Sequence, residues 1–263
     1  MAHELVVIGG GNMGAALLGG LLDSDAVAAS EVAVVETSAH RRRELAAMFP
    51  EVSIVDAVPA CAAAVIAVKP PDVGAAVSAA TSAGATRILS IAAGVTTATI
   101  AAAAGPGVAV LRTMPNTPAL VRQGVSALTG GPTATDADLD WAEAVLRGVG
   151  LVVRVTEDQL DAVTGLTGSG PAYVFLVAEA LIDAGLGSGL PEPLVEPMVT
   201  QLLVGASALL ADRGDPAQLR EMVTSPGGTT AEGLRVLGER GLRAAFSAAV
   251  EAATERSREL GAD

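Results

Sequence analysis

Aromatic residues make up 2% of the 263-residue chain although 51% of its residues are apolar, so its core has to be assembled from Ala, Val and Leu. Narrow helices packed closely are the consequence. A single cysteine, Cys61, excludes an intrachain disulfide framework. Lys69 is the sole lysine and His3 and His40 are the two histidines, so acid–base chemistry has few carriers and no metal site is expected. Basic residues are outnumbered, and a net charge of −13 removes nucleic acid and anionic membranes as partners. The basic cluster Arg41-Arg42-Arg43 is too short to be more than local. Mean hydropathy is +0.50, yet the longest apolar run, 60–68, falls well short of the ~18 residues that span a bilayer. The opening Met-Ala-His-Glu has no Lys or Arg and leads straight into a glycine turn, so no signal peptide is expected. A cytoplasmic protein is the default expectation.

What the chain has instead is glycine between a strand and a helix. Leu5-Val-Val-Ile8 reads as a buried strand, Gly9-x-Gly11-x-x-Gly14 follows at once, and 15–22 continues as an apolar helix. Gly9 allows a tight turn, Gly11 admits a pyrophosphate against the backbone, and Gly14 lets the helix lie close on the sheet. Asn12 and Met13 lie between them, where free N–H groups and the helix dipole favour phosphate. The alternative is a Gly-rich turn in an Ala-rich chain. A second strand, 31–35, ends at Glu36 about 20 residues after the last glycine, which favours dinucleotide binding.

The pattern then repeats: helix 39–49, strands 52–55 and 63–68, helix 72–83, strand 86–91, helix 97–104, strand 107–112, and strands 125–128 and 151–155 on either side of helix 136–149. This predicts an α/β fold whose N-terminal domain, 1–155, is a Rossmann-like doubly wound sheet with its ligand beyond the carboxyl ends of the strands. Ala67, Val68, Lys69 and Pro70, then Ala93 and Gly94, then Asn116 lie at such ends. They join the glycine loop and Glu36, Thr37, Ser38 and Arg41 as the expected cofactor site. From Glu157 the strand signals stop, and helices over 158–166, 171–185, 192–212, 216–223, 230–239 and 242–260 predict an all-α second domain, 156–263.

Within that half, Ser225-Pro-Gly-Gly-Thr-Thr230 is the most informative stretch. Pro226 fixes a turn, Gly227 and Gly228 expose backbone N–H groups, and Thr229 and Thr230 open the next helix, which makes a socket for a small carboxylate. The alternative is a capping box, Thr229-x-x-Glu232, with the glycines as a linker.

Together with this loop, the stretches Gly9-Gly-Gly-Asn-Met-Gly14, Ala67-Val-Lys-Pro70, Ser90-Ile-Ala-Ala-Gly94, Met114-Pro-Asn-Thr-Pro-Ala-Leu120 and Asp161-Ala-Val-Thr-Gly-Leu-Thr-Gly-Ser-Gly-Pro-Ala-Tyr173 resemble, in kind and order, those of pyrroline-5-carboxylate reductases. The resemblance covers nearly the whole chain. The stretches Asp161–Tyr173 and Ser225–Thr230 are specific to that family, whereas the first three suit other nucleotide-binding reductases as well. It implies hydride transfer from the C4 position of a reduced nicotinamide to the C5=N carbon of 1-pyrroline-5-carboxylate, giving L-proline in the last step of its biosynthesis. It implies that Ser225, Gly227, Gly228, Thr229 and Thr230 bind the substrate, with Thr230 at the ring nitrogen as the catalytic position. It also implies a homodimer through the C-terminal helices, often assembled further into a decamer.

The missing residues agree with that chemistry. A hydroxyacid dehydrogenase needs a positioned His or Lys for the hydroxyl proton, and 157–263 contains neither. A cyclic imine arrives already protonated, so the protein mainly orients it. Lys69 then suits a cofactor contact, Tyr173 a place in the core, and Glu157 and Asp161 a solvated helix start. For the cofactor, Glu36 matches the ribose diol of NAD, while Thr37, Ser38 and Arg41 match the 2′-phosphate of NADP, and the balance leans slightly to NADPH. Two other classes compete: a two-domain reductase of a hydroxyacid or flavin-like cofactor, and a non-enzymatic nucleotide sensor. The sensor leaves Ser225–Thr230 without a purpose.

Overall fold

The computed structural model of the chain describes residues 2–24 and 27–262. Its first part alternates β1 (His3–Ile8), α1 (Asn12–Asp23), β2 (Val32–Val35), α2 (Ala39–Met48), β3 (Ser53–Val55), β4 (Cys61–Ile66), α3 (Val73–Ser82), β5 (Arg87–Ser90), α4 (Thr97–Ala104), β6 (Ala109–Met114), β7 (Gly124–Gly130), α5 (Asp136–Arg147) and β8 (Gly150–Arg154). Among the described residues these strands form one eight-stranded sheet in the order β3-β2-β1-β4-β5-β6-β7-β8. β1 to β6 are parallel, as the continuous apolar runs of doubly covered strands require. The chain winds outward from β1 to β3 and then crosses back to β4, so β1 and β4 flank the point where the winding reverses.

Side-chain alternation divides the core between the two faces. Leu5 and Val7 of β1 point to the side holding Leu17, Leu18, Leu45 and Leu146, while Val6 and Ile8 point to the side holding Val73, Val77, Ile100 and Ala104. The thin helices expected from the composition are realised where α1 meets α5: a Cβ on Gly20 would collide with Gly148, and one on Gly148 with Gly20.

The sheet departs from a uniform doubly wound one at its far edge. β7 runs antiparallel to β6, with Met114 opposite Ala127, and β8 is parallel to β7. The link between β6 and β7 is a 3₁₀ turn, Thr117–Val121, too short for the crossover that a parallel pair needs.

Beyond the sheet the chain is helical: α6 (Leu160–Val163), α7 (Gly170–Gly187), α8 (Glu192–Arg213), α9 (Pro216–Met222), α10 (Thr229–Glu239) and α11 (Leu242–Ala262). A π-turn, Thr164–Gly168, leads from α6 towards α7 where a helix to 166 and then a break were expected, closed by the Ser169 N–H on the Thr164 carbonyl at 2.8 Å. The chain packs as two compact units, one running up to Ser169 and including α11 from Ala252 on, the other Gly170–Glu251. In the first unit the end of α11 is pinned twice: Ser257 Oγ donates to Asp161 at 2.7 Å, and Gly94 lies against Leu260.

The second unit is built differently. α7 has no buried residue, Val195 and Val199 of α8 are buried, and Val174, Phe175, Leu176, Leu194, Met198 and Leu202 are exposed. The stretches Glu157–Gly187 and Glu192–Arg213 are long and apolar enough, by length and composition, to cross a membrane. Exposed apolar faces of this extent are of the kind that marks an interaction site.

Candidate active site

The parallel register lines up the strand ends. Ile8 pairs with Val35 and Ile66, Ile66 with Ser90, and Ser90 with Arg112, so the segments starting at Gly9, Glu36, Ala67 and Ile91 leave one edge of the sheet side by side. The expected cofactor residues are thereby brought together. Gly9 has φ +109°, a conformation that disfavours a side chain, and a Cβ there would strike the Ala67 carbonyl across the β1–β4 switch point. A Cβ on Gly14 would strike the Gly9 carbonyl, which sets how closely α1 lies on the sheet.

Gly11 is different. It is the N-cap of α1, no side chain caps the helix among the described residues, and nothing lies within 4 Å of where its Cβ would be. The first intrahelical bond runs from Ala15 N–H to the Gly11 carbonyl, so the N–H groups of Asn12, Met13 and Gly14 have no helical partner. Open space in front of unpaired donors at a helix N-terminus fits a pyrophosphate. Asn12 is exposed there, whereas Met13 is partly buried against the core.

Around the end of β2, Glu36 Oε2 accepts the Gly10 N–H at 3.2 Å and Oε1 accepts the Ser38 N–H at 2.8 Å. Thr37 is exposed, and Ser38 caps α2 by accepting the Arg41 N–H at 3.3 Å. Arg41 does not lie on a solvated face: its Nε donates to the Gly10 carbonyl at 2.7 Å and its Nη1 to Glu44 at 2.8 Å. That hydrogen bond holds the Glu44 carboxyl below its ordinary range, with desolvation opposing it and the charges of His40 and Arg41 adding to it. After β4, Ala67 and Val68 are half-buried and Lys69 and Pro70 exposed; after β5, Ala93 is exposed and Gly94 half-buried. Asn116 is buried, and its amide is used inside the fold, donating to the Thr167 carbonyl at 3.0 Å and accepting the Val125 N–H at 2.9 Å.

The Ser225–Thr230 loop belongs to the second unit. Gly228 N–H donates to the Ser225 carbonyl at 3.0 Å, and with Pro226 second and Gly227 at φ +71° third this is the geometry of a type II turn. Gly228 is the N-cap of α10 and Thr229 its first residue, with no side-chain cap among the described residues. The capping box is therefore not formed; Glu232 pairs with Arg235 at 2.5 Å instead. The helix thus opens on N–H groups without side-chain acceptors, beside the exposed hydroxyls of Ser225, Thr229 and Thr230.

The chain is 39% identical to the pyrroline-5-carboxylate reductase of Mycobacterium tuberculosis, over 98% of this chain and 96% of that one. The chain belongs to the pyrroline-5-carboxylate reductase family. The corresponding reductase of Synechocystis is 40% identical over 99% of both chains. A family model described as pyrroline-5-carboxylate reductase dimerisation matches 157–260, and one described as NADP oxidoreductase, coenzyme F420-dependent, matches 4–94. The solved pyrroline-5-carboxylate reductase of Coxiella burnetii superposes with a TM-score of 0.91 at 32% identity over 99% of both chains. That of Plasmodium falciparum, solved with NADP bound, gives 0.83 at 27% identity over 98% of both.

Three features of this family member escape a reading of its sequence. Glu44, which holds Arg41, was legible only as a charge three residues along a helix. Glu157, expected in solvent, takes the guanidinium of the buried Arg112 at 2.7 Å and the Thr97 N–H at 3.2 Å. Asp161, also expected in solvent, accepts from Ser257. An arginine inside an apolar strand was the available signal for the second, since a buried guanidinium requires a carboxylate. Tyr173, expected in the core, is half-buried and packs edge-to-face on Phe246 with ring centres 6.5 Å apart, beside an apolar groove of ≈ 320 Å³.

Proposed function

We propose that the chain reduces 1-pyrroline-5-carboxylate to L-proline, with residues 1–155 binding the dinucleotide and 156–263 binding the substrate and a second copy of the chain. The observation that carries the reading is likeness to reductases of this name over the length of the chain, in a fold whose strand ends assemble the glycine loop. A reduced nicotinamide dinucleotide, when bound, supplies the hydride. The chain's own part is to seat its pyrophosphate at Gly9, Gly11, Asn12, Met13 and Gly14 and its ribose at Glu36, Thr37, Ser38 and Arg41. Ala67, Val68, Lys69, Pro70, Ala93, Gly94 and Asn116 border the same sheet edge. Ser225, Gly227, Gly228 and Thr229 hold the substrate carboxylate through the uncapped start of α10, and Thr230 keeps a hydroxyl at the ring nitrogen through the change from imine to amine.

Coverage of the exposed helices by a second copy is supported by the dimerisation region that matches 157–260, and it removes the need for a membrane. Assembly of dimers up to a decamer is the further step implied by the resemblance. The low cysteine content supports a cytoplasmic location. The test is oxidation of NADH or NADPH by the purified protein on addition of 1-pyrroline-5-carboxylate, with proline as the product. Dinucleotide binding without turnover, or turnover on hydroxyacids alone, overturns the assignment.

A further inference from the structure

We propose that Glu36 and Glu44 together make this chain select NADH over NADPH: Glu36 offers its free acceptor positions to an unphosphorylated ribose diol, and Glu44 withholds Arg41 from a 2′-phosphate. The inference rests on the reading of Gly9–Gly14 and Glu36–Arg41 as the dinucleotide site.

Glu36 leaves β2 beside the glycine loop, with one carboxylate oxygen held by the Gly10 N–H and the other by the Ser38 N–H. Anchored through both oxygens, the carboxylate cannot rotate aside. A carboxylate has roughly four lone-pair positions, of which the two N–H groups take two, while the Thr37 hydroxyl reaches Oε1 only at 3.5 Å. That long contact is made by a hydroxyl free to rotate, so it can give way to a ribose diol, whose two hydroxyl donors then match the positions left by the backbone. A 2′-phosphate brings acceptors and negative charge to the same place, so it gains no hydrogen bond there and is repelled.

The basic run does not offset this. A guanidinium grips a phosphate best through two adjacent nitrogens, and in Arg41 each such pair already has a member engaged, Nε on the Gly10 carbonyl and Nη1 on Glu44. Arg42 Nη1 donates to the carbonyls of Glu36 at 2.9 Å and Thr37 at 2.8 Å, and its Nη2 faces Asp56 at 3.7 Å. Arg43 is two residues beyond Arg41 on α2 and therefore on a different face. Three arginines that suit a phosphate in one dimension are thus two engaged and one turned away. Residue types lean slightly to NADPH, in keeping with the NADP-bound relative, while the places where these donors are already spent argue for NADH in this chain.

The test is titration of the purified protein with NADH and with NADPH, read as dissociation constants from nicotinamide fluorescence and as the shift each gives to the thermal midpoint. The wild-type chain should bind NADH about tenfold or more tightly than NADPH. Glu36→Ser should move that ratio about tenfold towards NADPH, Glu36→Gln should move it in the same direction, and Glu44→Gln should tighten NADPH about threefold. Equal or tighter NADPH binding by the wild type, or an unmoved ratio in both Glu36 variants, overturns the inference. Wild-type affinity for neither dinucleotide would instead overturn the reading of the glycine loop on which it rests.

Discussion

The proposed substrate site gives one hydroxyl and one missing side chain in the Ser225–Thr230 turn separable tasks. Thr230→Val keeps the shape and the backbone donors of α10, so the loss should fall on kcat, about tenfold or more, since a hydrogen bond strengthened at the transition state is worth about 1.5 kcal/mol. Steady-state kinetics with 1-pyrroline-5-carboxylate checks this, and wild-type constants would leave the hydroxyl without a catalytic part. Gly228→Ala should raise KM first, because the new Cβ collides with Ser225 Oγ and crowds its carbonyl, opening the turn that presents the carboxylate donors. Gly11→Val is the cleanest single-residue test of the dinucleotide site. The fold leaves open space at that Cβ, so the urea midpoint should stay near wild type while dinucleotide affinity is lost. Retained affinity would place the pyrophosphate elsewhere.

Between elements, the Arg112–Glu157 pair ties several parts of the sheet unit together. Arg112 sits on β6 with 5% of its side chain exposed, and the same Glu157 oxygen that takes its guanidinium also receives the Thr97 N–H at the start of α4. A strand, a helix and the 3₁₀ turn Glu157–Gln159 therefore depend on one carboxylate. Glu157→Leu leaves a buried guanidinium without its partner and should cost about 3 kcal/mol, measured as a fall in the urea midpoint. Glu157→Gln, which keeps an acceptor, should cost less. If the two variants are equally stable, the charge of the pair is immaterial and only its packing matters.

For the molecule as a whole, the proposal of a second copy predicts what happens when the exposed helices are made polar. Leu176 of α7 is 63% exposed and Leu202 of α8 55% exposed, so neither contributes much to the interior of a single chain. Leu176→Glu and Leu202→Glu should therefore leave the fold of the sheet intact while placing a charge in an apolar interface, shifting the protein towards monomer in light scattering and analytical sedimentation. An unchanged assembly in both variants would mean that these faces are not the contact. A wild-type protein that is monomeric at micromolar concentration would remove the proposed second copy altogether.

Patterns that repeat along the chain were legible without a structure: the strand–glycine–helix start, the alternation up to about residue 155, the helical second half and the turn at Ser225–Thr230. Each of these is written in nearest-neighbour terms, through periodicity and through glycine and proline, and local backbone preference needs no distant partner to be read. The antiparallel turn-back of β7 was decided by the length of one link, and the π-turn at Thr164–Gly168 by a hydrogen bond across one extra residue. The partners of charged groups were decided only in three dimensions. Glu36 is held by the N–H groups of Gly10 and Ser38, Arg41 is tied to the Gly10 carbonyl and to Glu44, and Glu157 left solvent because Arg112 is buried 45 residues away in sequence. A side chain's charge is a property of the sequence, but its partner depends on distances that only the folded chain creates.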